Sequence, residues 1–298
     1  MNARFLAGAR RLCGLAVLLA VAPLPAVALD FTPVTLDNGL KLLIVHDKRP
    51  CARNESCGFT AGDANRLKDF LERDRYVQVL LNSNGGSSTE GQRVGAVLRA
   101  RGAWVRVAKG HHCISACTAA FLGGVIREVD EGGEFHVHSS SSYLNGVSEE
   151  EWQRVSRDPD LELGNTLRAT VADRVEWTLS RFAYVQRMIA GESPKGLLEG
   201  SNSECLSRAQ DQLLQPGRLR QLAQRVRVEG RPALNEIEEA TERRTTELCV
   251  GILTAQADRL GPRAPQVLRI MDIMTASRIG ATINLSPQAL REAGFVTQ

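Results

Sequence analysis

The chain has 298 residues, 43% hydrophobic, 24% charged and 5% aromatic, with a formal net charge of +3. That balance belongs to a folded globular protein and excludes a disordered or collagen-like chain. At about 150 residues per domain, the length admits two domains or one α/β domain with insertions.

In chain order, Arg4, Arg10 and Arg11 come first, around the start of an apolar run, Leu12 to Ala22, that closes on Ala26-Val27-Ala28. A basic start, a short apolar stretch and small residues two apart predict a secretory signal peptide over residues 1–28, cut after Ala28. The run is shorter than the about 20 apolar residues a membrane span needs, and no later stretch reaches that length. We therefore expect a periplasmic or secreted protein with no stable span after cleavage. Removing three arginines from 37 basic residues leaves 34 against 34 acidic ones. A neutral mature chain has no electrostatic claim on phosphate backbones, so no nucleic-acid partner is expected. Six cysteines remain: Cys51, Cys57, Cys113, Cys117, Cys205 and Cys249. An even number in an oxidising compartment points to disulfides. The local pairs Cys51 with Cys57, Cys113 with Cys117, and Cys205 with Cys249 are the first to test.

Two β-rich runs flank Asp37-Asn38-Gly39 between Phe31 and Val45, which predicts a β-hairpin. A short strand near Ser56 to Thr60, a helix over Ala64 to Arg73 and a buried strand over Tyr76 to Leu81 follow. That strand runs into Asn82-Ser83-Asn84-Gly85-Gly86. A helix over Gly91 to Arg101, a strand over Trp104 to Ala108, a helix over Cys117 to Leu122 and a strand over Glu134 to His138 continue the alternation. Strands and helices at this pitch argue for parallel βαβ units. From about Ser148 to Leu260 the chain reads as amphipathic helices, with breaks at 191–203 and at Gly230-Arg231-Pro232. Ser286, Pro287 and Gly294 cap a short final helix that leads into a last strand. The organisation read from this is a signal peptide (1–28), an α/β core (29–150), a helical continuation (151–200), a helical insertion (201–262) and a return to the core (263–298).

Two junctions could carry chemistry. The Gly85-Gly86 turn at the carboxyl end of a strand can present backbone N–H groups to an oxyanion, because glycine lets another group come close. The second is His111-His112-Cys113-Ile114-Ser115-Ala116-Cys117, where Ser115 stands at a helix start and is either a simple N-cap or a nucleophile. Phe135-His136-Val137-His138 supplies two imidazoles on one strand face. His111, His112, Cys113, Cys117, His136 and His138 also offer metal donors, but no standard zinc spacing occurs and no metal or other cofactor is expected.

The order strand, Asn-Ser-x-Gly-Gly, helix, strand, Cys-x-Ser-Ala-Cys, helix, strand with histidine, then Leu-Ser-Pro-x-x-Leu-x-x-Ala-Gly-x-Val, resembles the ClpP/crotonase superfamily. More specifically, it looks like the exported ClpP-like proteins of bacteria, over about Glu55 to His138 and Ile279 to Val296. The resemblance implies a ClpP/crotonase-like spiral of βαβ units, here with a largely helical C-terminal half, and a homo-oligomer. It also implies a serine peptidase with Ser115 as nucleophile, His138 as base, and the amides of Gly85 or Gly86 and of Ala116 as oxyanion donors, acting on a peptide or protein substrate. Coenzyme A chemistry, the other activity of the superfamily, is not expected outside the cytoplasm. Where ClpP carries an aspartate before the terminal motif, this chain has Thr282-Ile283-Asn284, which makes Asn284 the possible third member; Asp173 and Asp272 are alternatives that the spacing does not favour. An asparagine orients an imidazole but does not stabilise an imidazolium as a carboxylate does. The alternative expectation is therefore a catalytically inactive ClpP-like module that binds a protein or peptide partner.

Overall fold

The computed structural model describes residues 29–48, 58–138, 146–192, 196–276 and 282–297. The predicted signal peptide and the Cys51–Cys57 pair lie outside them. The described chain is mixed α/β. The hairpin forms as expected: β1 (Leu29–Thr35) pairs antiparallel with β2 (Lys41–Asp47), and Gly39 takes the positive φ of 80° that the turn needs. Next come α1 (Asp63–Arg73), β3 (Gln78–Asn82), α2 (Ser88–Ala100), β4 (Trp104–Val107), β5 (His112–Ile114), α3 (Ala116–Leu122), β6 (Ile126–Val129) and β7 (Glu134–Val137). The first sheet has the order β1-β2-β3-β4-β6, with every neighbour pair after the hairpin parallel, as successive strand–helix–strand crossovers require. The second, of order β5-β7-β8, includes β8 (Ile283–Asn284).

Three expectations need correcting here. The strand near Ser56 to Thr60 is, within the described residues, a single bridge between Phe59 and Gly86. β6 was not foreseen, because Arg127 and Glu128 make Ile126–Val129 read as surface. In fact Arg127 is buried, and its guanidinium donates to the carbonyls of Phe295 (2.6 Å), Gly124 (2.9 Å) and Gly294 (3.3 Å). Finally, no strand follows α10 (Pro287–Ala293) among the described residues. Phe295 instead packs edge-on against Phe135, and Phe135 against Phe121, so the terminal segment is pinned by burial.

The rest is helical: α4 (Glu149–Arg157), α5 (Pro159–Ile189), α6 (Leu197–Leu213), α7 (Pro216–Glu229), α8 (Arg231–Ala255), a 3-10 turn (Ala257–Leu260) and α9 (Ala264–Ala276). The break at Gly230 falls as expected; the other falls between the end of α5 and the start of α6, and breaks at Asp158 and at Leu214-Gln215 were not anticipated. α5 packs its middle and end against the sheet side. The Tyr184 hydroxyl donates to the Ala119 carbonyl of α3 at 2.5 Å, and Gly95 leaves room for the ring by approaching that hydroxyl closely. This contact holds α2, α3 and α5 together behind the two junctions.

Candidate active site

Ser115 leaves β5 with φ 59° and ψ −120°, and is the one non-glycine residue at positive φ among the described residues. Such a conformation costs on the order of 1–3 kcal/mol and persists only where the surroundings impose it. Here the Ser115 N–H donates to the His136 carbonyl (3.1 Å). The Ser115 carbonyl accepts from both the Thr118 N–H (3.0 Å) and the Thr118 hydroxyl (2.6 Å). Cys113 and Cys117 are joined in a disulfide across the turn, as the local pairing predicts.

The capping role weighed for Ser115 is absent. Ser87, Ser148 and Ser286 each sit at φ near −63° and accept a hydrogen bond from the amide three residues on, at 3.3, 3.1 and 3.1 Å. Ser115 stands at the same position of α3 and makes no side-chain cap bond. Its hydroxyl is thus released from the function that serine normally serves there.

The Gly-Gly turn lies against this residue. A Cβ on Gly85 would meet the Ser115 Cβ at 2.6 Å, the Ile114 carbonyl oxygen at 2.7 Å and the Ala116 nitrogen at 3.1 Å. Only glycine fits, at φ 107°. Ala116 is the first residue of α3, so its N–H has no intrahelical acceptor. The Gly85 N–H donates to the Ser83 hydroxyl at 3.1 Å. Phe59 bridges the turn by donating to the Gly85 carbonyl (2.7 Å) and accepting from the Ser87 N–H (2.8 Å), which leaves the Gly86 N–H facing away from Phe59. Of the two expected glycine donors, Gly86 is therefore the better placed and Gly85 is already engaged.

The two turns are bolted together by backbone. Ser83 donates to the His112 carbonyl (2.9 Å), Ile114 donates to the Ser83 carbonyl (3.0 Å), and the His112 N–H donates to the Asn82 side chain (3.2 Å). Behind them sits Asp47, a buried carboxylate at the end of β2 that sequence reasoning missed. It accepts from the Ser83 hydroxyl (2.5 Å), the Asn84 N–H (2.9 Å) and the Asn84 amide side chain (3.0 Å). The one signal for it was an aspartate ending a β-rich run.

β7 runs parallel to β5 with Ile114 opposite His136, so Ser115 is level with Val137 and His138 lies one residue further. His136 and His138 share the face opposite the buried Phe135 and Val137, and His138 is half-buried. His136 Nε2 lies 3.2 Å from a Glu134 carboxylate oxygen. The register corrects the third-member expectation. Asn284 pairs with His136 and Ile283 with Val137, which puts Thr282, not Asn284, across from His138. Asn284 is exposed, as are Asp173 on α5 and Asp272 on α9.

The remaining donors do not converge. Cys113 and Cys117 are consumed by their disulfide, and among the described residues no three metal-ligating side chains gather. Burial, and then the neighbouring His112, lowers the pKa of His111. Cys205 on α6 and Cys249 on α8 are buried side by side as free thiols, so the expected pair is brought together but not bonded. No helix of the described residues is long and apolar enough to cross a membrane. No protein-family model and no curated protein matches the chain.

Proposed function

We propose that this protein is an exported serine hydrolase of the ClpP-like kind, a peptidase in which Ser115 is the nucleophile and His138 the general base. The observation that carries this reading is the conformation of Ser115: a helix-start serine held at positive φ, with its hydroxyl excused from capping and the Gly85-Gly86 turn against its Cβ. The parallel β5–β7 pair and the run of parallel crossovers support a ClpP/crotonase-like spiral. The Cys113–Cys117 disulfide agrees with removal of residues 1–28 and residence in the periplasm or outside the cell. The ClpP-like assignment also makes a homo-oligomer the expected state.

In this mechanism the Ser115 hydroxyl attacks the scissile carbonyl while His138 takes its proton, forming a tetrahedral intermediate. The amides of Ala116 and Gly86 receive the oxyanion; one such donor is worth about 2.7–4 kcal/mol of transition-state stabilisation. His138 then protonates the leaving amine, and water releases the acyl group by the reverse path. Thr282, and not the aspartate of the ClpP pattern, stands across from His138. That same observation favours the second reading, a non-catalytic module that binds a peptide or protein partner in the equivalent cleft.

A fluorophosphonate probe separates the two. Covalent labelling of the mature protein that is abolished in Ser115→Ala and reduced in His138→Ala supports the hydrolase. Folded wild type that takes up no label refutes it and leaves the binding module.

A further inference from the structure

The carboxyl ends of β2, β3 and β5 carry the serine site, whereas the amino ends of the first sheet open into a separate cavity of about 810 Å³. That volume lies within the range of small-molecule sites, about 300–1,000 Å³. It forms where α1 hands over to β3 and α2 to β4, with Ile126 at the start of β6 as a wall. β3, five residues long, separates it from the Gly-Gly turn by about 15 Å.

The polar inventory of this cavity is one-sided. Its two carboxylates are occupied: Glu72 pairs with Arg101, and Asp74 pairs with Lys41 and accepts from the Arg75 N–H at 2.8 Å. The donors are not. The guanidinium groups of Arg73 and Arg75 make no ion pair with any described residue, and the Tyr76 hydroxyl has no hydrogen-bond partner among them. The Trp104 indole N–H is buried without an acceptor. The unpartnered groups of Arg73, Arg75 and Trp104 only donate, and the Tyr76 hydroxyl can donate as well as accept. Beside them, Leu71, Val77 and the Trp104 ring offer apolar surface, with Val77 41% exposed.

We propose that this cavity is a second binding site, for an organic carboxylate whose anionic head meets Arg73 and Arg75 and whose aromatic or aliphatic body covers Val77 and Trp104. Guanidinium groups suit a carboxylate because two parallel N–H donors match its two oxygens. The apolar wall adds a preference for an acid with a hydrocarbon body over a bare anion. The site is independent of Ser115 chemistry.

Calorimetric titration of the mature protein with 1-naphthoate tests this, with the neutral 1-naphthalenemethanol and inorganic phosphate as comparison ligands. Binding of one naphthoate per chain is expected. It should weaken at least about tenfold in the Arg73→Ala/Arg75→Ala double variant, whose two side chains are exposed and not needed for folding. Trp104→Phe should weaken it less, and Ser115→Ala not at all. No naphthoate binding, an unchanged affinity in the double variant, or equal binding of the alcohol or of phosphate alone would overturn the proposal. So would an oligomer that the double variant dissociates, since a second copy would then cover this face. A protein that fails to take fluorophosphonate but binds naphthoate as described would lose the hydrolase reading and keep this one.

Discussion

The α/β part and the helical part of this molecule bury charge in different ways. In the α/β part each deeply buried ionic side chain is met by named partners. Asp47 is saturated by Ser83 and Asn84, Asp63 by Thr60 and Arg66, Glu90 accepts from the Ala64 N–H at 2.8 Å, and Arg127 serves three carbonyls. In the helical part the seam between α5 and α8 buries Glu238, Glu242 and Arg181, and atoms of each lack a hydrogen-bond partner. Arg181 lies over the Trp177 ring at 4.8 Å; Arg174 lies over the same ring at 3.9 Å and donates to the Thr246 hydroxyl at 2.6 Å. Saturated buried charge fixes backbone turns to a fraction of an ångström, which is what a nucleophile turn requires. Unsaturated buried charge leaves the packing dependent on protonation.

The sharpest way to break this contrast is at the serine site. Gly85→Ala would force a Cβ into the Ser115 Cβ and the Ile114 carbonyl at a positive φ. We expect fluorophosphonate labelling to slow by about a hundredfold or more, because the clash displaces Ser115 and the adjoining Ala116 amide from their reactive positions, with far-UV circular dichroism unchanged. A wild-type labelling rate would show that the two turns are not coupled. Next in size, Asp47→Ala strips three donors of their acceptor. Urea denaturation should report a loss of about 1–3 kcal/mol, because the buried Ser83 hydroxyl loses its acceptor while the donors of the exposed Asn84 can turn to water. A loss below about 1 kcal/mol would mean that water replaces the carboxylate.

The effect at the helical seam is one of pH. Burial first, then Glu151 and Glu242, push the Glu238 carboxyl up to about 8 from an ordinary 4.5. The folded protein therefore keeps a proton that the unfolded chain gives up. This contribution to stability is fully present below pH 4.5 and is lost as the pH rises through about 8. The melting temperature of the wild type should fall across that window, and Glu238→Gln should flatten the decline and melt higher than wild type at pH 8. Parallel curves for the two proteins would show that Glu238 is solvated in solution.

How far the sequence could be read depended on range. The hairpin at Asp37-Asn38-Gly39, the Ser286, Pro287 and Gly294 caps and the Cys113–Cys117 pairing were legible because each is decided within a few residues by turn geometry or chain closure. β6 was not, because a buried arginine looks like a surface one until the carbonyls that receive it are known. Asp47 was hidden for the same reason, being 36 residues from Ser83. The register of β8 on β7 moved Asn284 away from His138, and a shift of two residues along a strand is invisible in the motif that suggested it.

By itself the sequence determined the alternation of strands and helices, the two glycine- and serine-bearing turns and the helical character of the second half. These follow from local backbone preferences and hydrophobic period, which each segment carries alone. Only the tertiary structure decided that the turns meet, that Ser115 is spared from capping and that Asp47 anchors the loop. It also decided which residue stands across from His138. Such facts depend on hydrogen bonds between segments tens of residues apart, whose geometry exists only once the sheets have closed.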